Sequence, residues 1–218
     1  MNAGPPVETF EALSALPGVL HGFTLRVPTL DVQMDREAAL ARLDRYHAEA
    51  REMLGVSRFP LVTATQVHGR MVLEAEATTE GPVGEADAIV TADPAVCLGI
   101  YVADCCAIYF VDPVRNVIGI AHSGRKGTEQ RIATAVIERM QGAFGCDPGD
   151  LVVQLSPCIR PPHYEIDFAS AIVAQCREAG VRNVHDGGAN TGADLQRYYS
   201  YRMEKGKTGR MLALLALH

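Results

Sequence analysis

Between Leu61 and Leu155 the chain is a succession of short runs of branched and aromatic residues, broken by turn chemistry such as Asp112-Pro113. Leu61–Val67, Ala88–Thr91, Leu98–Ala103, Ile108–Val111, Val117–Ala121 and Leu151–Leu155 read as strands, with Met211–Leu217 as a last one. Helical periodicity appears around them. Asp35–Leu54 places Leu40, Leu43, Tyr46, Ala50 and Leu54 on one face and is followed by Gly55, a natural C′ residue. Thr128–Phe144 does the same with Ile132, Val136, Ile137 and Met140 before Gly145, and Phe168–Ala179 is closed by Gly180. Strands dominate the middle and helices follow without strict alternation. This pattern predicts an α+β fold: one domain over residues 1–218, a mixed β-sheet core flanked by helices.

Composition narrows the function classes. An apolar fraction of 48% over 218 residues supplies a core without disulfides, and 21% charged residues exclude wholesale disorder. Tryptophan is absent, aromatics are 6% and the net charge is −6, which together argue against a nucleic-acid partner. Met1–Leu20 has no basic start and no continuous apolar stretch, and the longest apolar run, Met211–Leu217, is too short to span a bilayer. Neither a leader nor a membrane partner is expected. Six irregularly spaced cysteines then read as reduced thiols in a cytoplasm.

Three strands run into polar residues that a core does not accommodate. Leu61–Val67 leads into Gln66, His68 and Gly69; Leu98–Ala103 into Asp104, Cys105 and Cys106; Val117–Ala121 into His122, Ser123 and Gly124. Strand ends are where sites are assembled. Two imidazoles and a thiolate suit zinc, and three protein ligands with an open position is the catalytic pattern. The spacing of His68, Cys105 and His122 is long, so each residue taken singly has an ordinary reading as a loop hydrogen-bonder or core thiol. Cys106, at the start of a strand, reads as a core thiol, and Cys97, Cys146, Cys158 and Cys176 as structural. His21, His47, His163, His185 and His218 show no evident partners, and His47 is expected to be solvated or half-buried.

After His122, the run Ser123-Gly124-Arg125-Lys126-Gly127-Thr128 precedes a helix. Two glycines, two cations and free helix N–H groups make an anion-binding arrangement, although the spacing is not that of a Walker loop. Farther on, Arg202, Lys205, Lys207 and Arg210 surround Gly206 and Gly209, read as a solvated turn that is also able to add to an anion pocket.

Thr65-Gln66-Val67-His68-Gly69, Glu85-Ala86-Asp87-Ala88-Ile89-Val90-Thr91, Val102-Ala103-Asp104-Cys105 and Ala121-His122-Ser123-Gly124 occur in that order. So do Leu20-His21-Gly22-Phe23-Thr24-Leu25-Arg26, Ser156-Pro157-Cys158-Ile159 with Tyr164-Glu165, and Tyr199-Ser200-Tyr201-Arg202 with Thr208-Gly209-Arg210. Together they resemble the bacterial laccase-domain family, also called polyphenol-oxidase-like or YfiH-type, over nearly the whole chain. The resemblance implies a single α+β domain of laccase-domain (cysteine-hydrolase-like) architecture and one zinc ion on His68, Cys105 and His122. It further implies a purine nucleoside phosphorylase that cleaves adenosine, inosine and 5′-methylthioadenosine with phosphate, with adenosine deamination as an additional activity. Some members of the family are linked instead to editing of peptidoglycan precursors. Arg26 and Gln66, with Arg125 and Lys126, are the expected substrate- or phosphate-binding residues, and Asp104 the expected proton shuttle.

The chain also departs from that family. Arg125 stands where a tryptophan is usual, Val27-Pro28 where paired glycines follow the arginine, and Asn190-Thr191-Gly192 where a Cys-Thr pair is expected. These changes motivate a rival reading as a binding or editing-accessory module. A second rival is a metal-free hydrolase or amidase with Cys105 as nucleophile and His122 as base. A multicopper oxidase is argued against by the absence of any His-x-His among seven histidines, so copper at the site would be adventitious.

Overall fold

The computed structural model describes residues 5–79 and 81–218, so residues 1–4 of the segment read as lacking a leader lie outside it. Two six-stranded sheets face each other. The first runs, edge to edge, β1 (Val7–Glu8), β2 (Val19–Thr24), β12 (Met211–Leu217), β7 (Cys97–Val102), β3 (Leu61–Thr65) and β5 (Gly81–Glu85). The second runs β11 (Asn183–Asp186), β10 (Val152–Leu155), β8 (Cys106–Asp112), β9 (Val117–Ser123), β6 (Ala88–Thr91) and β4 (Val72–Glu74). Both are mixed: the neighbours β7–β3–β5, β10–β11 and β6–β4 are parallel, and the other pairs antiparallel. The helices are α1 (Glu11–Ser14), α2 (Arg36–Met53), α3 (Arg125–Glu129), α4 (Ile132–Phe144) and α5 (Phe168–Glu178). The α+β expectation holds, with two sheets in the core.

The period of two along each strand explains the layering. Phe23, Leu98, Ile100, Ala213 and Leu215 of the first sheet meet Tyr109, Val111, Ile118 and Ile120 of the second in one buried layer. The alternate residues of β8, Ile108 and Phe110, face the other way and pack against Val136 and Ile137 of α4 and Ile172 of α5. Likewise Leu212, Leu214 and Ala216 pack behind the first sheet with Val56, Leu54 and Phe59. β12 is therefore apolar throughout because both of its faces are covered.

The Asp35 side chain caps α2 by accepting from the Ala38 N–H, and Gly55 follows with φ of 72°. The helix expected over Thr128–Phe144 is instead two. Arg131 adopts a left-handed φ of 60° and separates α3 from α4. The break lets α3 bury Gly127 and Thr128 against the end of β9, where Gln175 of α5 donates to the Thr128 carbonyl. Five further strands, β1, β2, β4, β5 and β11, carry no sequence signal of comparable strength. Among the described residues, no helix is long and apolar enough to cross a membrane.

Candidate metal centre and its cavity

Register places the three ligand candidates together. β8 and β9 pair with Ala107 opposite His122, so Cys105, just before β8, lies beside His122. β6 pairs with β9 through Ala88 and Ala121, which brings Asp87 alongside His122 from the other side. The loop after β3 then folds over Asp87 and carries His68 in. The His68 and His122 imidazoles and the Cys105 sulfur have ligand atoms all within 4.8 Å of one another, and the two rings meet edge to face at 4.8 Å. Among the described residues this is the one such group of histidine, cysteine and carboxylate side chains.

Asp87 is the site residue that sequence reasoning missed, although it sits inside a quoted motif. Fully buried, it accepts four donors: the Val67, His68 and Gly69 N–H groups and His122 Nδ1, the last at 2.7 Å. These hold His68 in a left-handed backbone with φ of 60° and fix the His122 ring so that its Nε2 faces the triad. Burial alone would raise the Asp87 carboxyl, but the hydrogen bonds from His122 and Gly69 outweigh it and hold it below the usual range. Burial likewise opposes both charges of the neighbouring pair. The Cys105–His122 interaction prevails, lowering the thiol to about 6 and raising the imidazole to about 9. A thiolate beside an imidazole whose second nitrogen is already oriented is a donor set suited to zinc, so the residues present fit that ion. Gly124 permits the approach, since a Cβ there would lie 2.5 Å from the Cys105 sulfur.

Asp104 neighbours the triad in a different environment. It has φ of 79°, and its carboxylate accepts from the Thr191 hydroxyl and the Arg202 N–H at 2.7 and 2.6 Å. Burial exceeds these contributions and raises its pKa.

The triad opens into a cavity of about 680 Å³. Tyr101, Tyr164, Phe168 and Tyr201 supply aromatic walls, and Arg36, Arg125, Arg202, Lys205 and Arg210 supply cations against, among the described residues, a single lining carboxylate, Asp104. The sequence-derived residues divide accordingly. His68, Cys105, His122, Asp104, Gln66 and Arg125 line the cavity. The Gln66 amide both donates to and accepts from the Tyr101 backbone, extending the β3–β7 pairing, and Arg125 pairs with Glu129 on its own helix. Lys126 is exposed and lies outside the lining, because α3 starts at Arg125 and turns the next side chain away. Arg26 lies outside it as well. Its guanidinium stacks over Tyr199 and binds Glu204 at 2.6 Å, fixing the 200–206 loop. Conversely, three members of the presumed solvated turn, Arg202, Lys205 and Arg210, line the cavity.

The remaining cysteines are buried free thiols, as expected. Three histidines without evident partners have them: His21 Nε2 accepts the Phe10 N–H, His47 Nε2 meets the Arg210 carbonyl and His163 meets Asn190. His47 is buried rather than solvated, because the face of α2 that carries it packs on the first sheet's side of the core.

Residues 28–169 and 162–218 match the family model described as multi-copper polyphenol oxidoreductase laccase. A purine nucleoside phosphorylase of Deinococcus radiodurans is 32% identical over 233 aligned residues, covering 91% of this chain and 89% of that protein. The crystal structure of YlmD from Geobacillus stearothermophilus has a similar fold, with a TM-score of 0.85 at 22% identity, covering 100% of this chain and 97% of that one. The crystal structure of the Bacillus licheniformis hypothetical protein YfiH gives 0.85 at 21% identity, covering 100% and 98%.

Proposed function

Since the chain belongs to the multi-copper polyphenol oxidoreductase laccase family, we propose that it is a purine nucleoside phosphorylase holding one zinc ion on His68, Cys105 and His122. One observation carries the reading: a cavity joins a His-Cys-His group able to hold an ion to aromatic walls and to an excess of cations. A purine needs flat apolar surface, and phosphate needs cations. When bound by His68, Cys105 and His122, zinc would supply Lewis-acid and charge stabilisation. One His-Cys-His group does not supply the ligands of a multicopper assembly.

Phosphorolysis forms a bond from a phosphate oxygen to the anomeric carbon as the bond from that carbon to the purine nitrogen breaks. The electron pair stays with the base, which takes up a proton. Tyr164 and Phe168, edge to face at 5.9 Å, offer the base a wall, and the cavity cations hold phosphate in line. The Asp104 carboxyl, raised by burial, keeps a proton to higher pH than a solvated aspartate and is placed at the cavity wall to deliver it. The same acid serves adenosine deamination as an additional activity. Six free thiols support a reducing, cytoplasmic setting.

The test is a panel of adenosine, inosine and 5′-methylthioadenosine with protein of measured zinc content, with and without phosphate, followed by chromatography. Phosphate-dependent release of free base is expected; deaminated nucleoside alone, or no product, overturns phosphorolysis. A second reading rests on the Cys105 thiol lowered to about 6, which suits a metal-free Cys-His hydrolase. Stoichiometric zinc that disappears in Cys105→Ala removes it, whereas metal-free protein rapidly alkylated at Cys105 favours it.

A further inference from the structure

The cations of the cavity are not equivalent. Arg125 is neutralised by Glu129 and Arg202 by Glu165, the latter at 2.6 Å. Arg26, behind the wall, is neutralised by Glu204. Arg36, Lys205 and Arg210 have no carboxylate within ion-pair distance among the described residues. Arg210 is only 9% exposed, yet one guanidinium nitrogen alone is engaged, donating to the Thr208 and Gly209 carbonyls. Its Nε and second terminal nitrogen have no hydrogen-bond partner among the described residues, and the side chain lines the cavity. Neither nitrogen is sealed from the cavity, so both are free to donate a charge-assisted pair of hydrogen bonds to an anion there.

The three cations line one wall region of the same cavity, with Tyr201 between two of their segments. Arg210 lies over Tyr201 at 5.8 Å, and the Lys205-Gly206 turn closes on the other part of that ring, a Cβ on Gly206 meeting its Cζ at 3.3 Å. The Arg36 charge bears on both Tyr101 and Arg210, so two like charges face the same space. Lys205 and Gly206 both adopt left-handed backbone, φ of 54° and 85°, and Glu204 fixes that turn by accepting from Arg26, the Ser200 N–H and the Thr208 hydroxyl. Glycine adopts this backbone freely, whereas for Lys205 it carries a steric cost that the Glu204 contacts offset.

We propose that Arg36, Lys205 and Arg210 form the phosphate subsite of the cavity, and that Arg26 is a positioning residue that presents Lys205 through Glu204. The assignment takes its ligand from the phosphorylase reading and moves the anion away from α3, where the Arg125-Lys126 sequence pointed. The subsite takes a small tetrahedral oxyanion: the nearly buried Arg210 offers a fork of two free donors, and the exposed Arg36 and Lys205 add positive charge at the same cavity.

The test uses inorganic phosphate itself, titrated calorimetrically into the full-length zinc-loaded protein and its variants. Arg36→Gln and Lys205→Gln alter exposed side chains and each is expected to weaken phosphate binding by about tenfold or more, the scale of one charge-assisted hydrogen bond. Arg210→Gln removes binding, but it also frees two carbonyls, so the exposed pair decides the matter. Steady-state kinetics are expected to raise KM for phosphate in parallel while KM for nucleoside stays within about twofold, a split that a loss of structure does not produce. Arg26→Lys, which keeps the charge but not the fork, raises KM for phosphate without entering the cavity. Unchanged phosphate affinity in Arg36→Gln and Lys205→Gln, or loss confined to Arg125→Gln and Lys126→Gln, overturns the subsite. Affinity lost as predicted while no protein releases base from any nucleoside supports the subsite and overturns phosphorolysis alone.

Discussion

Asp87 and Asp104 are both buried, both anchor loops that carry the site, and their pKa values move in opposite directions. Asp87 binds three consecutive N–H groups and an imidazole, two donors to each oxygen, and stays ionised. Asp104 has a hydroxyl and one N–H on its two oxygens, and burial prevails. Burial is thus common to both, and the donors decide the charge state. A carboxylate whose partners are all obligate donors is a fixture of the fold. One that has a hydroxyl, able to donate or accept, on one of its oxygens is free to hold a proton there.

Replacing each carboxylate by its amide breaks or confirms that contrast. Asp87→Asn forces an NH2 group against N–H donors that cannot reverse. We expect a loss of about 3 kcal/mol in denaturant unfolding and a zinc affinity lower by about 10–100-fold in a competition titration. The histidines extend the comparison to the scaffold. Burial lowers His21 and His47 to about 4, although Asp44 acts on His47 in the opposite sense, whereas His122 beside Asp87 and Cys105 is raised to about 9. A depressed histidine stays neutral in the fold while the unfolded chain takes up a proton below about 6.5. Stability therefore falls as pH drops from 6.5 toward 4, by about 2 kcal/mol per histidine at pH 5. Unfolding at pH 7 and 5 measures it, and His47→Gln is expected to remove its share of the difference.

Gly124→Ala sharpens the triad side of the comparison. The new methyl displaces Cys105, costs about 1–2 kcal/mol and lowers the zinc stoichiometry read by atomic absorption. The smallest effect on stability belongs to Asp104→Asn. Thr191 reverses its hydroxyl to accept from the amide, and asparagine tolerates the left-handed backbone, so the change is expected to stay under about 1 kcal/mol. Turnover nonetheless falls by about 100-fold if Asp104 moves the proton. Equal destabilisation by the two amides sinks the contrast.

The strands of the middle of the chain were readable because they are buried on both faces and bounded by turns, as in Phe110 and Val111 before Asp112-Pro113. β5, with the sequence GPVGE, and the two-residue β1 were not, since their pairing comes from neighbours distant in sequence rather than from propensity. The helix break at Arg131 left no glycine or proline to mark it. Among site residues, His68, Cys105 and His122 stood out as polar groups at the ends of apolar strands. Asp87 did not, because one aspartate before a strand looks like any turn residue until four donors converge on it. Arg36 looked like an ordinary exposed residue in the first turn of a helix.

The sequence by itself determined seven of the twelve described strands and the helices α2 and α5, which thiols are core, and which three residues suit a metal. Those follow from local pattern and side-chain chemistry, which act over a few residues. Tertiary structure alone decided that β6 lies beside β9 and β8 beside β9, hence that Asp87 orients His122 and Cys105 meets it. It also decided that Arg26 is engaged by Glu204 while Arg36, Lys205 and Arg210 are left facing the cavity. Whether a charge is available to a ligand depends on which opposite charge the fold brings to it, and for Arg26 and Glu204 that pairing crosses 178 residues of chain.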